Sequence, residues 1–436
     1  MIPARRTYGL LIFGMAIAAI IAAVWDDRTR VAAWLITLLI WDGLILGLAI
    51  WDSSRVSRVR VERSALSRLS IGRDNAVSLS VETGQAAEVQ IYDNYPIEFG
   101  VSQMPLAAKL SNNSTQELLY TVHPTLRGEY PWGAIQVRQL SPWRLAWHDW
   151  KIPQNQKVAV YPDLIGLRSL SIRLTLQSAG SIRRARRLGI GTEFAELRDY
   201  GIGDDPRFID WKATARRGQP LVRVLEPEHE QTLIILLDRG RLMTANVKGL
   251  SRFDWGLNAT LSLALAGLHR GDRVGVGVFD RQIHTWIPPE RGQSHLTHLI
   301  ERLTPIQPEI IEPDYLGAVT ALANQQTRRA LVVLITDIVD ITASAELLAA
   351  LGRLTPRYLP FCVTLRDPQV DRQANAVTED VPSTYARAVA LDLLAQRQVA
   401  FAELKRKGVL VLDAPANQIT EQLVDRYLQL KAKNQL

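Results

Sequence analysis

The chain contains a single cysteine, Cys362, among its 436 residues. One thiol excludes a framework of disulfide bonds and any metal site built from several cysteines. Because Cys362 lies within the apolar run YLPFCVTL, we predict that it is a small, buried hydrophobic residue.

The common motifs of two large enzyme classes are also missing. The sequence has no Gly-x-x-x-x-Gly-Lys-Ser/Thr loop, so the chain is not itself a P-loop ATPase, and it has no Gly-x-Ser-x-Gly nucleophile elbow. His295 and His298 have the spacing of one helix face but no third ligand nearby, and zinc sites usually use three or four. We interpret them as a surface or packing pair.

The net charge of +7 is the next feature to explain. A basic chain often binds nucleic acid, but no nucleic-acid-binding module is recognisable here. The basic excess is concentrated beside two long apolar runs near the start of the chain. We therefore predict contact with a membrane surface and no nucleic-acid partner.

Residues 1–52 are predicted to form a transmembrane helical hairpin. Two apolar runs, at about residues 8–25 and 31–51, each approach the ~20 residues that a helix needs to cross the hydrocarbon core. Arg5 and Arg6 precede the first run, and several arginines follow the second. Because positive flanks stay inside, we expect an integral protein of a bacterial-type plasma membrane, with both termini and all soluble domains cytoplasmic. The alternative is a cleaved signal peptide ending near Ala23.

Asp42 lies close to the middle of the second run. An unpaired carboxylate there would cost at least about 2.5 kcal/mol on insertion scales, so it needs a partner or a proton. One hypothesis is a polar contact with a neighbouring helix in a homo-oligomer or partner complex. The other is that the acid is protonated or the span is shifted.

Residues 53–160 are predicted to form an antiparallel β-sandwich or barrel. Segments such as SRVRVERS and AEVQIYDN place apolar residues at every second position, and turn residues separate them. Spacing of this kind is typical of an all-β domain of about 100 residues. Four tryptophans either form a binding face or, as is more usual, cover the core and sheet edge: Trp132, Trp143, Trp147 and Trp150.

Residues 161–190 are predicted to form a linker. A helix-like stretch, residues 164–176, leads into SAGSIRRARRLG, which carries a compact basic run. Such a run is usually a solvated segment, and near a membrane it can instead hold anionic lipid. The run comprises Arg183, Arg184, Arg186 and Arg187.

The densest pattern runs from Gly191 to Arg217, GTEFAELRDYGIGDDPRFIDWKATARR. Gly201 and Gly203 predict a tight turn, and acids before Pro206 predict a helix from there to about Ala215. The segment either docks on the next domain through buried ion pairs or binds a partner. Its candidate interaction residues are Glu193, Arg198, Tyr200, Asp204, Asp205, Arg207, Asp210, Trp211 and Arg216.

This segment, followed by Glu226, Glu230 and the run TLIILLD, resembles the domain-of-unknown-function-58 family, membrane-anchored proteins with a von Willebrand factor A-like domain. The layout of the whole chain is similar to that family. The resemblance implies a MoxR-type AAA+ ATPase as the partner, because such ATPases are often encoded beside family members.

Residues 191–436 are predicted to hold this lead-in segment and a doubly wound α/β domain. Apolar strands at about residues 232–238, 273–280, 330–337, 358–367 and 409–413 alternate with helices at about 252–269, 294–303, 316–324, 343–354, 383–407 and 417–430. This alternation predicts a mostly parallel sheet covered on both faces.

All five predicted strands end in aspartate, and ligands of open α/β sheets bind at the carboxyl ends of strands. Carboxylates there are the ligands that Mg²⁺ would need. Metal-binding von Willebrand A domains carry Asp-x-Ser-x-Ser after the first strand, whereas this chain has Asp238, Gly240 and Leu242. Asp314 stands where a threonine loop is expected, and Asp337 of VLITD fits the last position.

We therefore predict a degenerate metal site and no cofactor, with Mg²⁺ as a disfavoured alternative. Arg239 and Arg241 lie beside the site and either repel a cation or neutralise Asp238 and Asp337.

The sequence favours a non-enzymatic, membrane-tethered interaction protein. A hydrolase built on Asp204, Asp205 and Asp210 is disfavoured, because no nucleophile or oxyanion donor accompanies them in the sequence. The alternative function is an envelope-associated enzyme, or an accessory to one, that uses the β-rich region to recognise its substrate.

Overall fold

A computed structural model describes residues 2–24, 28–66, 68–188, 193–201, 204–226, 231–339, 344–377 and 380–433. The chain divides into two compact units, Met1–Tyr161 and Pro162–Leu436. Trp25, Gly191, Gly203 and Glu230, which entered the sequence predictions, lie outside the described residues.

The first unit begins with a short strand, β1 (Ile2–Pro3), and two helices, α1 (Arg5–Val24) and α2 (Arg28–Ser54). Within the described residues, one helical segment, Leu35–Ser54, is long and apolar enough to cross a membrane. Two such spans were predicted. Asp42 is half-buried on α2, and its Oδ1 atom has no hydrogen-bond partner among the described residues.

The rest of the first unit is β-rich, as predicted. Its strands are β2 (Arg60–Arg63), β3 (Leu69–Ser70), β4 (Asn75–Thr83), β5 (Ala87–Asp93), β6 (Gly100–Val101), β7 (Leu106–Leu110), β8 (Ser114–His123), β9 (Gly128–Trp132), β10 (Ile135–Leu140), β11 (Ala146–Ile152) and β12 (Gln156–Tyr161). They form a five-stranded sheet, β1-β11-β10-β5-β7, a four-stranded sheet, β2-β4-β8-β6, and a three-stranded sheet, β3-β12-β9. Pairing is antiparallel except between β3 and β12.

Trp132 belongs to the core of this region. Its indole donates to Asp93 (3.2 Å), which also accepts from Tyr120 (2.6 Å) and from the buried Arg63 guanidinium. Trp143, by contrast, is half-exposed. Trp132 therefore fits the favoured interpretation, in which these tryptophans cover the core, and the four do not form one exposed face.

The second unit contains a six-stranded mixed sheet with helices on both faces. Its elements are α3 (Leu164–Leu188), β13 (Glu193–Asp199), α4 (Trp211–Arg217), β14 (Leu221–Glu226), β15 (Thr232–Asp238), β16 (Asn246–Val247), β17 (Leu250–Ser251), α5 (Arg252–His269), β18 (Arg273–Phe279), β19 (Ile283–Glu290), α6 (Gln293–Leu303), α7 (Tyr315–Gln325), β20 (Leu331–Thr336), α8 (Ala345–Leu354), β21 (Leu359–Arg366), α9 (Pro368–Ala374), α10 (Val381–Arg406), β22 (Leu410–Pro415) and α11 (Ile419–Ala432).

The sheet order is β19-β18-β15-β20-β21-β22, and only the edge strand β19 runs antiparallel to its neighbour. Alternate residues of β15 point into two different cores: Leu233, Ile235 and Leu237 pack with α3, α5 and α11, while Ile234 and Leu236 pack with α7, α8 and α10. The strand order reverses between β15 and β20, which is where doubly wound folds bind ligands.

Helix α3 departs from the predicted linker. It is one helix of 25 residues, and Leu167, Leu170 and Leu174 on one face are buried in the core beside α5. Asp163 caps its start by accepting from the Gly166 amide at 2.8 Å. The side chains of the basic run lie outside the described part, but its backbone continues this helix.

Replacing Leu174 by alanine tests this packing. Leu174 is 1% exposed, so Leu174→Ala removes buried methyl groups and should cost about 2–5 kcal/mol of unfolding free energy. Leu176, on the same helix, is 72% exposed, and Leu176→Ala is the matched control. The midpoint of thermal unfolding of the full-length protein in detergent should fall only for Leu174→Ala, and equal midpoints would contradict the packing of α3.

Candidate functional site

The segment singled out in the sequence folds as a small antiparallel hairpin, residues 193–226, that we call the arm. Strands β13 and β14 pair from Glu193 opposite Glu226 to Asp199 opposite Leu221. The connection between them holds a 3-10 turn, Pro206–Phe208, and the helix α4. The side chain of Glu193 lies outside the described part of the chain.

Instead of the one helix predicted from Pro206 to about Ala215, the structure has the 3-10 turn and the separate short helix α4. Between them, Ile209 forms a β-bridge with Val222, and the Asp210 amide donates to the Leu221 carbonyl at 2.9 Å. These bonds hold residues 209–210 extended, so a new helix has to begin. Asp210 begins it by accepting from the amides of Lys212 and Ala213, both at 3.0 Å.

Asp204 and Asp205 each close a local turn. Asp204 accepts from the Gly201 amide at 2.8 Å and pairs with Arg198. Asp205 caps the 3-10 turn through the Arg207 amide and also pairs with the Arg207 guanidinium at 2.8 Å. The hydrogen bond from the Gly201 amide and, to a smaller extent, the bond from Arg198 lower the pKa of Asp204. The hydrogen bonds from Arg207 lower the pKa of Asp205.

The ion pairs of the arm therefore join residues of the arm to each other. Asp210 completes the set, since its carboxylate lies 3.5 Å from Arg223. These pairs are at the surface, whereas the sequence offered buried pairs to the next domain as one interpretation. They serve to hold the shape of the arm.

Three aromatic side chains of the arm face solvent, whereas Leu221 and Val222 are buried. Trp211, at the first position of α4, is 70% exposed, and Phe208 and Tyr200 are exposed as well. Tyr200 uses its hydroxyl to donate to the Asp204 carbonyl at 3.1 Å, which fixes the ring beside the turn. Arg216 is exposed at the end of α4.

A second candidate site lies at the carboxyl ends of β15 and β20. Asp238 is fully buried and is held by three donors without a positive charge: the Gly240 amide at 2.7 Å, the Thr336 hydroxyl at 2.7 Å and the Tyr315 hydroxyl at 3.1 Å. Burial raises the pKa of Asp238 to about 6, although these three bonds act in the opposite direction. This carboxyl group is therefore partly protonated near neutral pH.

Asp337 is surrounded by arginine. Arg252, the first residue of α5, lies 2.9 Å from one carboxylate oxygen, and Arg397 of α10 lies 2.8 Å from the other. Arg397 also binds Asp413 at 2.8 Å, and Arg366 binds the second oxygen of Asp413 at 2.6 Å. We call these five residues the arginine–aspartate cluster.

The arginines expected to neutralise Asp238 and Asp337 have other partners. Arg239 pairs with Asp280 at 2.8 Å and with Glu309, and Arg241 pairs with Glu312. Of the two alternatives, neutralisation is the one the structure contradicts, because the chain turns after β15 and residues 239–241 bond to the segment 309–311 rather than to the strand ends. Neither arginine lies between the two aspartates.

The space that a metal-site serine would need is filled. A Cβ atom on Gly240 would lie 2.7 Å from the Ile311 carbonyl and 2.9 Å from Pro313. Asp314, the other predicted site position, caps α7 by accepting from the Gly317 amide at 2.6 Å. Leu242 is half-buried in a 3-10 turn, where its carbonyl accepts from Arg252 at 3.3 Å.

The side chains at the carboxyl ends of these strands do not fit a divalent cation. Asp337 already faces two guanidinium groups, and a like charge there opposes a metal ion. In the part of the chain that the structure describes, no group of three or more His, Cys, Asp or Glu residues could hold a metal ion. His295, predicted to be a surface or packing residue, is buried and bonds through Nε2 to the Val274 carbonyl at 2.7 Å.

The second unit thus has a mixed sheet with Asp238 and Asp337 at the carboxyl ends of two neighbouring strands and with arginines around Asp337. Residues 196–375 match the family described as "Protein of unknown function DUF58". The family resemblance predicted from the arm and the run after it is confirmed.

Relatives of this chain carry no assigned activity. The chain is 23% identical over 209 residues to the uncharacterized protein Rv1480 of Mycobacterium tuberculosis. The matched region covers 47% of this chain and 65% of that protein. It is 25% identical over 185 residues to the uncharacterized protein YeaD of Bacillus subtilis, covering 42% and 43%.

Solved structures with similarity to this chain include BatB of Bacteroides thetaiotaomicron, with a TM-score of 0.33 and 15% identity, covering 47% of this chain and 99% of that one. An aerotolerance-related membrane protein of Bacteroides fragilis has a TM-score of 0.30 and 16% identity over 45% and 99%. The SpRpn10 VWA domain has a TM-score of 0.30 and 10% identity over 45% and 94%.

Five residues at the carboxyl ends of the strands escaped the sequence analysis: Arg252, Tyr315, Thr336, Arg366 and Arg397. Thr336 and Tyr315 directly neighbour the predicted positions Asp337 and Asp314, so attention to adjacent hydroxyls would have found them. Arg252 follows the N-cap Ser251 and is the first residue of a helix that the sequence predicts clearly. Arg397 lies in the middle of a charged helix, and no local pattern distinguishes it.

Removing the charge of Arg397 should be far more costly than removing a surface charge. Arg397→Met breaks two buried ion pairs and should lower the free energy of unfolding by about 3–5 kcal/mol. Arg406 on the same helix is exposed and pairs only with the neighbouring turn, so Arg406→Met should change stability by less than about 0.5 kcal/mol. Urea unfolding of both variants measures the difference, and similar small losses would show that the cluster does not stabilise the fold.

The raised pKa of Asp238 predicts a loss of stability as pH rises. The folded protein binds this proton more tightly than the unfolded chain does, so the contribution is complete below about pH 4 and is lost as pH rises through about 6. A two-unit shift corresponds to on the order of 3 kcal/mol. Asp238→Asn should flatten this part of the stability profile relative to the parent protein, and parallel profiles would refute the assignment.

Proposed function

We propose that this chain is a membrane-tethered, non-enzymatic adaptor that binds a protein partner through the arm. The observation that carries the proposal is the exposed Trp211 and Phe208 on a segment whose carboxylates are bound locally. Exposed aromatic side chains on a pre-shaped surface are typical of binding hot spots. The shape of the arm is fixed before a partner arrives, which lowers the entropic cost of binding.

The residues at the carboxyl ends of β15, β20 and β22 support a role without catalysis. Asp337 and Asp413 are held by arginines, and Asp238 lies beneath the segment that covers Gly240. A general base needs space for a substrate within hydrogen-bond reach. The arginine–aspartate cluster fills that space, so we assign it to stability.

The membrane tether is the second part of the proposal. We propose that α1 and α2 form a hairpin across a bacterial-type plasma membrane, with both termini and both units on the cytoplasmic side. Apolar side chains such as Ile12, Phe13, Leu39 and Ile40 face outward on these helices, which suits lipid. Asp42, whose Oδ1 has no hydrogen-bond partner within the described ranges, is proposed to pair across a homo-oligomer.

The partner is proposed to be a MoxR-type AAA+ ATPase, the class that the family resemblance implies. The adaptor would then serve complex assembly or envelope maintenance with that ATPase. The arm, being exposed and pre-shaped, is the surface we assign to this contact.

A second candidate function is recognition of an envelope substrate by the β-rich region, as part of an enzyme or its accessory. The observation in its favour is a cavity of about 700 Å³ beside the loop of residues 94–98. Tyr95, Ile97 and Tyr130 are among its lining residues. Aromatic and apolar linings of this size are typical of ligand sites.

Affinity purification of the full-length protein from its native membranes, with and without ATP, tests the adaptor function. An AAA+ ATPase should be recovered in larger amount in one nucleotide state. Trp211→Ala should weaken this recovery about 30-fold, the effect of a hot spot of 2 kcal/mol, because the exposed indole is lost. Mass spectrometry of the bound fraction gives the readout.

Tyr385→Ala is the matched control, since Tyr385 is an equally exposed aromatic residue of the same unit and lies on α10. Its recovery of the ATPase should equal that of the parent protein. Recovery of cell-envelope enzymes alone would favour the second function, and equal loss in both variants would remove the arm as the binding surface.

A further inference from the structure

On the side of α1, the junction between the helices and the β-rich region is made by strand pairing and hydrogen bonds. Strand β1 joins the five-stranded sheet directly, with Ile2 opposite Trp147 and Pro3 opposite Ala146. The Ala4 amide then donates to the Leu145 carbonyl at 2.8 Å, and the Thr7 hydroxyl donates to the same carbonyl. Helix α1 therefore starts from the edge of the sheet without a linker.

The end of α2 is fastened to the same place. Asp52 is 1% exposed, and its carboxylate accepts from the Trp143 amide at 3.2 Å and from the Leu145 amide at 3.5 Å. The next residue, Ser53, shares a hydrogen bond of 3.3 Å with His148 on β11. The turn between β10 and β11, residues 141–145, is thus hydrogen-bonded to the start of α1 and to the end of α2.

Aromatic rings and arginines surround this turn. The Trp51 and Trp143 rings lie 5.2 Å apart and are both about half-exposed, and the Arg55 guanidinium lies over the Trp51 ring at 4.7 Å. Tryptophan is enriched at membrane–water boundaries because its ring is apolar while its N–H is polar. Other exposed arginines of the same junction are Arg5, Arg6, Arg58 and Arg144.

We propose that the turn of residues 141–145 lies in the lipid headgroup layer, with Trp143 as its anchor. The occupant of this surface is the bilayer itself. The candidate span Leu35–Ser54 ends at Trp51–Ser54, and Asp52 binds the turn there, so the turn lies at the depth where the span leaves the hydrocarbon. Exposed arginines at that depth match anionic headgroups.

This inference rests on the proposed membrane tether and adds to it. A flexible connection would let the β-rich region move away from the bilayer. Here the hydrogen bonds of Ala4, Asp52 and Ser53 fix it, so one edge of the five-stranded sheet stays at the lipid surface.

Spin labels at chosen cysteines test the position of the turn in the full-length protein. Cys362→Ala removes the native thiol, and the protein is placed in nanodiscs of phosphatidylcholine and phosphatidylglycerol. Trp143→Cys carries the label in the turn, and Pro142→Cys repeats the measurement at an exposed neighbour in case the first variant does not fold. Accessibility to oxygen and to a water-soluble nickel chelate reports the depth of each label.

Two further positions calibrate the measurement. Leu126→Cys, at an exposed residue of another turn of the β-rich region, should give a fully aqueous label, and Leu39→Cys, on the candidate span, should give a label in hydrocarbon. We expect the labels at 142 and 143 to be several-fold less accessible to nickel than the label at 126. They should be more accessible to nickel than the label at 39.

The outcomes separate this inference from the proposed function. If the label at 39 is in hydrocarbon while those at 142 and 143 match the label at 126, the tether stands and the headgroup position of the turn is overturned. If the label at 39 is itself aqueous, both the tether and this inference fall. Intermediate values at 142 and 143 support the inference.

Discussion

The ion pairs of Arg397 are the constraint on which the second unit depends. This one guanidinium, carried by α10, binds Asp337 after β20 and Asp413 in β22, two strands that are separated by β21. Burying a charged group in this way is costly unless its partners are well placed. The cluster therefore fixes the end of the sheet in one arrangement, since any other arrangement would leave buried charges unpaired.

The same constraint decides where function can lie. In a doubly wound sheet the carboxyl ends of the strands are the usual place for a ligand. Here arginines and two hydroxyl groups take the positions around the aspartates, and the segment 309–313 lies over Gly240. The carboxyl ends of the strands are thus occupied by the protein's own side chains, while exposed aromatic residues such as Trp211 and Phe208 lie on the arm. In the proposed function, the interaction surface is therefore the hairpin that precedes the sheet.

Much of the α/β sheet follows from the sequence, because apolar strands of parallel sheets and capped helices leave clear local patterns. Helix α5 and strand β15 have the predicted bounds. Strand β19 was missed because its two prolines, Pro288 and Pro289, are tolerated only at a sheet edge, and the edge is a property of the whole sheet.

The parts of the candidate sites that were not predicted depend on contacts distant in sequence. The aspartates at the strand ends could be named from local pattern, but Arg252 and Arg397 lie 85 and 60 residues from Asp337, the residue they share. In the arm, the bond of Asp210 to Leu221 divides a helix that local signals predict to be continuous. The arm also contains β13 and β14, whose pairing no local pattern revealed.

The pairing of β1 with β11 has a consequence for the order in which the chain assembles. Ile2 and Trp147 are 145 residues apart in sequence, so β1 is made long before its neighbour in the sheet. Bringing such distant segments together carries a loop-closure cost that only later contacts repay. Both helices are synthesised in between, so the five-stranded sheet cannot be completed until β11 has been made. The pairing of β1 with β11 then fixes the start of α1 to the edge of that sheet.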